Sequence, residues 1–119
     1  MNFIKTSVKD GAVLIGENKL DLKTVFAEKI APYEGKDIVI GFRPESIIPM
    51  ATDGAFSMKC IVELTEMLGD NTNVYVNIGD DKAILKVNPH NTPAMDSQME
   101  FSVPYESVYL FDLENENRI

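Results

Sequence analysis

Apolar and polar residues alternate along most of this chain, in short runs that are separated by residues favouring turns. In the run Asp37–Phe42 every second side chain is isoleucine or phenylalanine, which is the period of a β-strand with one buried face. Pro44 ends this strand because it has no N–H group, and it holds Arg43 in an extended conformation. Proline also suits the start of a helical turn, so the sequence predicts a one-turn helix over Pro44–Ser46. The charged groups of Arg43 and Glu45 then lie at the mouth of a core strand.

The first 36 residues predict a small β-lobe that is followed by one helix. Three short strands form a β-meander in this prediction, at 4–8, 12–15 and 19–22. Asp10 and Gly11, between the first two runs, are typical of a type I′ hairpin turn, which needs positive φ angles. Helical spacing replaces the alternation over 24–31, where Thr24 can cap the first turn. We expect Pro32 to end this helix.

The longest alternation starts at Ala55 and predicts a long strand with one buried face. The residues assigned to that face are Phe56, Met58, Cys60, Val62 and Leu64. Two apolar residues, Ile61 and Met67, fall on the polar face instead, which indicates that this face is also partly covered, by a second lobe or by a partner. A strand of this length usually bends, often at a β-bulge, and such bends allow small barrels to close.

Further alternating runs complete a β core over residues 37–112. The remaining strands are predicted at 74–78, 83–87, 99–103 and 108–111, the first two forming an antiparallel meander with the long strand. A strand–turn–strand unit at 104–108 resembles the one at 44–47. Many short strands with frequent turn residues are typical of an all-β barrel or sandwich. The acidic tail 113–119 is expected to fray.

Composition and charge favour one acidic, folded domain. Of the 119 residues 45% are hydrophobic, enough for a core, and no apolar run is long enough to span a bilayer. The single cysteine, Cys60, excludes an internal disulfide and fits a reducing compartment. Residues 1–36 hold six of the 11 basic and five of the 19 acidic side chains, so residues 37–119 carry the whole negative balance of the net charge of −8. Such a surface repels phosphate backbones and anionic headgroups, so we expect neither nucleic-acid binding nor membrane insertion.

No residue pattern indicates a catalytic site. The pair Gly35-Lys36 lacks the rest of a P-loop, so we do not expect this segment to hydrolyse ATP. His90, the only histidine, lies in a polar run without a cysteine or histidine partner and is assigned to the surface. Residues 70–75 resemble a calcium loop only at their start, because tyrosine stands where glycine is required.

The charged residues around Arg43 are open to two interpretations. Arg43 either forms a structural ion pair, with Glu45, Glu63 or Glu66, or it contacts another protein. Glu63 and Glu66 are expected on opposite faces of one strand because their separation is odd, so they do not predict an acid/base pair.

Four short motifs occur in order along the chain: G-x-R-P-E at 41–45, V-E-x-x-E-x-L-G at 62–69, V-Y-V at 74–76 and L-F-D at 110–112. Together they resemble the C-terminal regulatory domain of ATP-binding proteins from ABC transporters of the maltose or multiple-sugar type. The opening Met1-Asn2-Phe3 is similar to the junction that follows the ATPase domain in that family. The interaction or structural residues that the resemblance assigns are Gly41, Arg43, Pro44, Glu45, Glu63, Glu66, Leu68, Gly69 and Phe111.

The resemblance implies an OB-fold-like (TOBE) barrel with a second small β-lobe and one short helix. It also implies a non-catalytic domain that helps two ATPase subunits to form a dimer and that in some members receives a regulatory protein of sugar metabolism. ATP and magnesium then belong to an ATPase domain upstream in the parent chain, at the cytoplasmic face of the membrane, and this segment holds no cofactor or metal. The alternative is a small-ligand domain, since related barrels of other importer ATPases bind oxyanions such as molybdate. Enzymatic and nucleic-acid-binding roles lack the residues that would support them.

Overall fold

The alternating runs of the sequence are strands in the computed structural model, which describes all residues from Met1 to Ile119. The strands are β1 (Asn2–Ser7), β2 (Ala12–Ile15), β3 (Asn18–Asp21), β4 (Asp37–Phe42), β5 (Ala55–Met67), β6 (Thr72–Ile78), β7 (Asp81–Val87), β8 (Gln98–Pro104) and β9 (Tyr109–Asp112). One α-helix, α1, spans Lys23–Ile30, and 3₁₀ turns lie at Ala31–Tyr33, Pro44–Ser46, Pro89–Asn91 and Tyr105–Ser107. This mostly β architecture with one short helix confirms the predicted fold class. The helix has neither the length nor the hydropathy to cross a membrane.

The strands form two sheets and one separate hairpin around a common core. All pairings are antiparallel: β1-β4-β9 make a three-stranded sheet, β7-β6-β5-β8 a four-stranded sheet, and β2-β3 the hairpin. Inward-pointing side chains, most of them from these strands, form one cluster of 25 buried residues. Phe42 of β4 and Phe101 of β8 connect the two sheets, with ring centroids 6.0 Å apart. Burying each such ring contributes about 1.5 to 3 kcal/mol to folding.

The predicted β-meander of the first lobe is wrong for its first strand. The tight turn at Asp10 and Gly11 does form, with φ angles of +54° and +72°. The predicted hairpin does not extend beyond this turn, because β1 pairs along its whole length with β4 and not with β2. That pairing places Ile4 directly opposite Ile40, both buried, so a non-local contact outweighs the local turn.

Helix α1 lies within one residue of the predicted bounds at each end, but its predicted cap is wrong. Leu22 occupies the N-cap position, and Thr24 lies inside the first turn. The carboxylate of Asp21 instead accepts the N–H of Lys23, at 3.1 Å. Phe26 stacks on Phe56 of β5, with centroids 6.5 Å apart, and so fixes the helix against the four-stranded sheet.

Strand β5 bends at a β-bulge, as its length predicted. The register to β6 shifts between Val62 and Leu64, which leaves Glu63 without a partner across the ladder. Two predictions are wrong for this reason, since an extra residue reverses the alternation. Leu64, assigned to the buried face, is 50% exposed. Glu63 and Glu66, assigned to opposite faces, both lie on the solvent side.

Two asparagine side chains close gaps that the strand ladders leave. Asn2 donates from Nδ2 to the carbonyl of Ile84 and accepts the Ile84 N–H at Oδ1, both at 2.8 Å. Its amide therefore takes the place of a peptide group along the edge of β7. Asn18 makes the same pair of bonds to Lys59 of β5, at 3.1 and 2.8 Å. These contacts join β1 to β7 and β3 to β5 without regular strand pairing.

Candidate functional site

The reactive side chains of the chain do not converge on a catalytic or metal-binding arrangement. Cys60 is buried in β5, and burial raises the pKa of its thiol to about 11, so the thiol stays protonated and unreactive at neutral pH. His90 is exposed in a 3₁₀ turn. No group of three or more His, Cys, Asp or Glu side chains is arranged to hold a metal ion. The features that distinguish this molecule are its exposed apolar surfaces.

The outward side of the three-stranded sheet carries an aromatic face, made of Phe3, Val39, Gly41, Tyr109 and Phe111. They share one side because Phe3 and Tyr109 flank Gly41 across the sheet and Val39 stands opposite Phe111. The rings of Phe3 and Phe111 meet edge to face, with centroids 5.8 Å apart. Gly41 makes room for them, because a Cβ there would lie 2.9 Å from Cε2 of Phe111. Phe3 is still 61% exposed, so the face offers apolar surface to a partner.

The C-terminal tail folds back beside the aromatic face, and the prediction that it frays is wrong. Asp112 organises its turn: Oδ1 accepts the N–H groups of Glu114 and Asn115, at 2.8 and 3.2 Å. The Tyr33 hydroxyl donates to Oδ2 at 2.7 Å, which ties the tail to the first lobe. Arg118 then forms a bridge with β9.

Between the tail and the aromatic face lies a cavity of about 410 Å³, which we call the tail pocket. Its apolar walls are the side chains of Phe3, Val39, Phe111 and Leu113, and Asp112 and Glu116 also line it. The tail pocket is therefore apolar inside and acidic at its edge.

The tail turn should open in acid. The hydroxyl of Tyr33, followed by the N–H groups of Asn115 and Glu114, lowers the pKa of Asp112 below its ordinary value. A carboxylate with a lowered folded-state pKa stabilises the turn fully above its unfolded pKa, and this contribution disappears as the pH falls through the folded value. The protection factors of the Glu114 and Asn115 amides, measured by NMR against the intrinsic exchange rate at each pH, should fall across that range. The variant Asp112→Asn should lack this transition, and an identical transition in the variant would contradict the assignment.

A second apolar surface, the outer strip, crosses the solvent side of the four-stranded sheet. It consists of Ile61, Leu64, Tyr75 and Ile84. Leu64, Tyr75 and Ile84 stand directly opposite one another on β5, β6 and β7. The bulge in β5 turns Leu64 outward, so the strip exists because the alternation is interrupted.

Two family models match consecutive parts of the chain. The MalK OB fold domain matches residues 1–47, and the TOBE domain matches residues 40–111, which is more than half of the chain. The chain belongs to the TOBE domain family. Strands of both matched regions build the aromatic face, and the outer strip of this TOBE domain lies wholly within the second region.

The chain is similar to ATP-binding proteins of importers. It is 27% identical over 121 residues to the sulfoquinovosyl glycerol transport ATP-binding protein SmoE of Agrobacterium fabrum, covering 100% of the chain and 33% of that protein. It is 31% identical over 85 residues to the sn-glycerol-3-phosphate import ATP-binding protein UgpC of Chromobacterium violaceum, covering 71% of the chain and 23% of that protein. It is 26% identical over 121 residues to the sn-glycerol-3-phosphate import ATP-binding protein UgpC of Ruegeria pomeroyi, covering 100% of the chain and 32% of that protein. The chain thus spans about a third or less of these curated relatives.

Among solved structures, the fold is similar to that of the cytoplasmic molybdate-binding protein ModG in its molybdate-bound form. The TM-score is 0.69 at 16% sequence identity, covering 92% of this chain and 94% of that one. At this identity the likeness concerns the fold, and it agrees with the predicted OB-like architecture.

The motif residues of this TOBE domain do not gather in one place. Gly41 and Phe111 lie together in the aromatic face, where the missing side chain of the first accommodates the ring of the second. Leu68 and Gly69 form the exposed turn between β5 and β6, in which Gly69 has a φ of +89°.

Glu63 and Glu66 border the outer strip. The carboxylate of Glu63 pairs with Lys82 at 3.2 Å, and Oε1 of Glu66 accepts the Tyr75 hydroxyl at 3.5 Å. Both are solvent-exposed contacts, so each contributes little to stability but fixes the charge beside the strip.

The R-P-E part of the first motif, residues 43–45, lies outside both apolar surfaces. Pro44–Ser46 is a 3₁₀ turn with Arg43 extended before it, and Tyr105–Ser107 repeats this arrangement, which confirms the predicted local structure and its echo. The interpretation as a structural ion pair is wrong: Arg43 pairs with none of Glu45, Glu63 and Glu66, and Glu63 is paired with Lys82. Of the two interpretations of Arg43, contact with another protein stays a prediction.

Several residues of the two surfaces were not singled out from the sequence: Val39, Tyr109, Leu113 and Ile84. Phe3 and Tyr75 entered only as members of the Met1-Asn2-Phe3 opening and of the V-Y-V motif. Their exposure follows from which strands pair, and that pairing is non-local. The one available signal was the presence of apolar residues on the polar side of the β5 alternation.

Proposed function

We propose that this TOBE domain is the non-catalytic accessory part of the ATP-binding subunit of a carbohydrate-importing ABC transporter. The family match and the names of the relatives support this proposal. Those relatives are about three or more times longer than the matched region, so the ATPase, with its ATP and magnesium, is assigned to the rest of such a protein. In this proposal an ATPase domain precedes the segment, and the whole subunit lies in the cytoplasm at the inner face of the membrane.

The role we propose for the domain is association with a second copy of itself, and the outer strip is the observation that carries it. Contiguous exposed apolar surface marks protein contact sites, and Leu64, Tyr75 and Ile84 form such a row. Of the two carboxylates that border the strip, Glu63 is neutralised by Lys82, and Glu66 accepts the Tyr75 hydroxyl. Two chains with a net charge of −8 therefore meet at this strip with one unpaired carboxylate beside it on each chain, that of Glu66. A regulatory protein of sugar metabolism is a further proposed partner.

Sedimentation velocity over a wide range of concentrations tests this role. We expect the wild-type chain to shift toward the dimer as its concentration rises. The variant Leu64→Glu should remain a monomer, because two buried carboxylates would face each other. Leu14→Glu is the matched control, since Leu14 lies on β2 outside the strip and is 61% exposed. A wild-type chain that stays monomeric at every concentration would contradict the proposed dimer.

A second candidate function, binding of an oxyanion such as molybdate, is favoured by one feature of the surface. A cleft of about 600 Å³ between β3 and β5 contains Lys19, Lys59 and Ser57, whose groups can donate hydrogen bonds to an anion. Glu17 in the same cleft and the net charge oppose it. Calorimetry with molybdate, on the wild type and on Lys59→Gln, decides: saturable heat that the variant loses would favour ligand binding, and its absence leaves association as the function.

A further inference from the structure

The tail pocket has a composition that selects its occupant. Four apolar side chains form its walls, so a fully hydrated ion or a wholly polar group would gain little by entering. An occupant needs an apolar portion for the walls and a polar end for the rim.

The polar end has to be positive, because the free charge at the rim is negative. The carboxylate of Asp112 is already taken by the N–H groups of its own turn and by Tyr33. Glu116 differs: its carboxylate makes no hydrogen bond and no ion pair, although its N–H is fixed on the carbonyl of Asp112 at 2.9 Å. Residues 112–119 contain three carboxylates and one basic side chain, Arg118.

The aromatic face already receives one cation. The guanidinium carbon of Arg118 lies 4.6 Å from the ring centroid of Tyr109, within the range of a cation–π interaction. Phe3 and Phe111 belong to the same face, border the tail pocket and hold no cation. The aromatic face therefore already binds one arginine side chain, that of Arg118, and the rings of Phe3 and Phe111 remain available to a second cation.

We infer that the tail pocket receives an arginine or lysine side chain of a partner protein, presented on an apolar segment. The aliphatic stem lies against Phe3, Val39 and Phe111, and the cationic head reaches Glu116. This inference rests on the proposed function, because it gives the chemistry of a partner for an interaction domain. A second copy of this chain is a poor occupant, since the whole chain carries 11 basic against 19 acidic side chains and a net charge of −8.

An NMR titration of the ¹⁵N-labelled chain tests the inference. The probe is the acetylated and amidated peptide Gly-Leu-Arg-Leu-Gly, and its control contains citrulline, the neutral isostere, in place of arginine. We expect saturable shifts at Phe3, Val39, Phe111 and Leu113, with the citrulline peptide binding about three- to tenfold more weakly. In the variant Glu116→Gln the arginine and citrulline peptides should bind with about equal affinity. Glu106→Gln removes an exposed carboxylate from a 3₁₀ turn away from the tail and should change nothing.

Equal affinity for the two peptides, shifts at other residues or the absence of saturable binding would each overturn the inference. Its failure is separable from failure of the proposed dimer, because the dimer is assigned to the outer strip. A monomeric chain that binds the arginine peptide at these residues rejects self-association alone. A dimeric chain that ignores the peptide rejects the inference alone.

Discussion

Replacing Gly79 with alanine should lower the free energy of unfolding by about 2 to 4 kcal/mol, a large part of the stability of a typical domain. Gly79 begins the β6–β7 turn with a φ of +64°, which an L side chain rarely adopts. A Cβ there would also lie 2.6 Å from Cα of Gly16, in the β2–β3 turn. The two turns therefore touch backbone to backbone, and added atoms must push the hairpin away from the four-stranded sheet.

Urea denaturation of wild type and variant measures this loss, and Gly69→Ala is the matched control. Gly69 has a comparable φ of +89°, but a Cβ there meets no atom within 4 Å. Gly69→Ala should therefore lower the free energy of unfolding only by the backbone strain, about 1 to 2 kcal/mol. Equal losses in the two variants would show that the contact between Gly16 and Gly79 adds nothing to the stability of the fold.

Replacing Asn2 with aspartate should cost about 2 to 4 kcal/mol at neutral pH. Asn2 is only 8% exposed, and its Nδ2 donates to the carbonyl of Ile84. A carboxylate keeps the acceptor for the Ile84 N–H but places a negative oxygen against the carbonyl in a poorly hydrated position. The contact between β1 and β7 then loses one hydrogen bond and gains an electrostatic repulsion between two oxygen atoms.

The sign of the pH dependence separates this mechanism from a general loss of packing. Protonation restores a donor, so the deficit of Asn2→Asp relative to the wild type should shrink in mildly acidic buffer. Asn77→Asp is the control: Asn77 is half-buried on β6, beside Lys82 in register, and its side chain makes no hydrogen bond. It should change the unfolding free energy little. A deficit of Asn2→Asp that is independent of pH would contradict the role given to its amide.

Local patterns were sufficient for the elements of this fold but not for their partners. Period-two alternation located most of the strands, because these strands bury one face in the same core, and the turn at Asp10 and Gly11 located β2. The choice of β4 rather than β2 as the partner of β1 depends on residues more than 30 positions apart, such as Ile4 and Ile40. The bulge at Glu63 shows a similar limit, since its occurrence was predictable from strand length but its position was not.

The candidate surfaces depend on this non-local pairing, so only some of their residues could be predicted from the sequence. Gly41 and Phe111 were singled out through separate motifs 70 positions apart, and the antiparallel pairing of β4 with β9 places them side by side. Phe3 completes that face from a third strand, and the sequence singled it out only as part of the opening Met1-Asn2-Phe3. Charged motif residues were easier to notice than to interpret, as the unpaired Arg43 shows.

The most direct test of the proposed association is the concentration dependence of the ¹H–¹⁵N spectrum of the wild-type chain. If the domain associates through the outer strip, dilution should move or sharpen the signals of Ile61, Leu64, Tyr75 and Ile84 together, with signals on β2 unchanged. Signals of the strip that do not respond to concentration, or a response confined to other surfaces, would contradict the account.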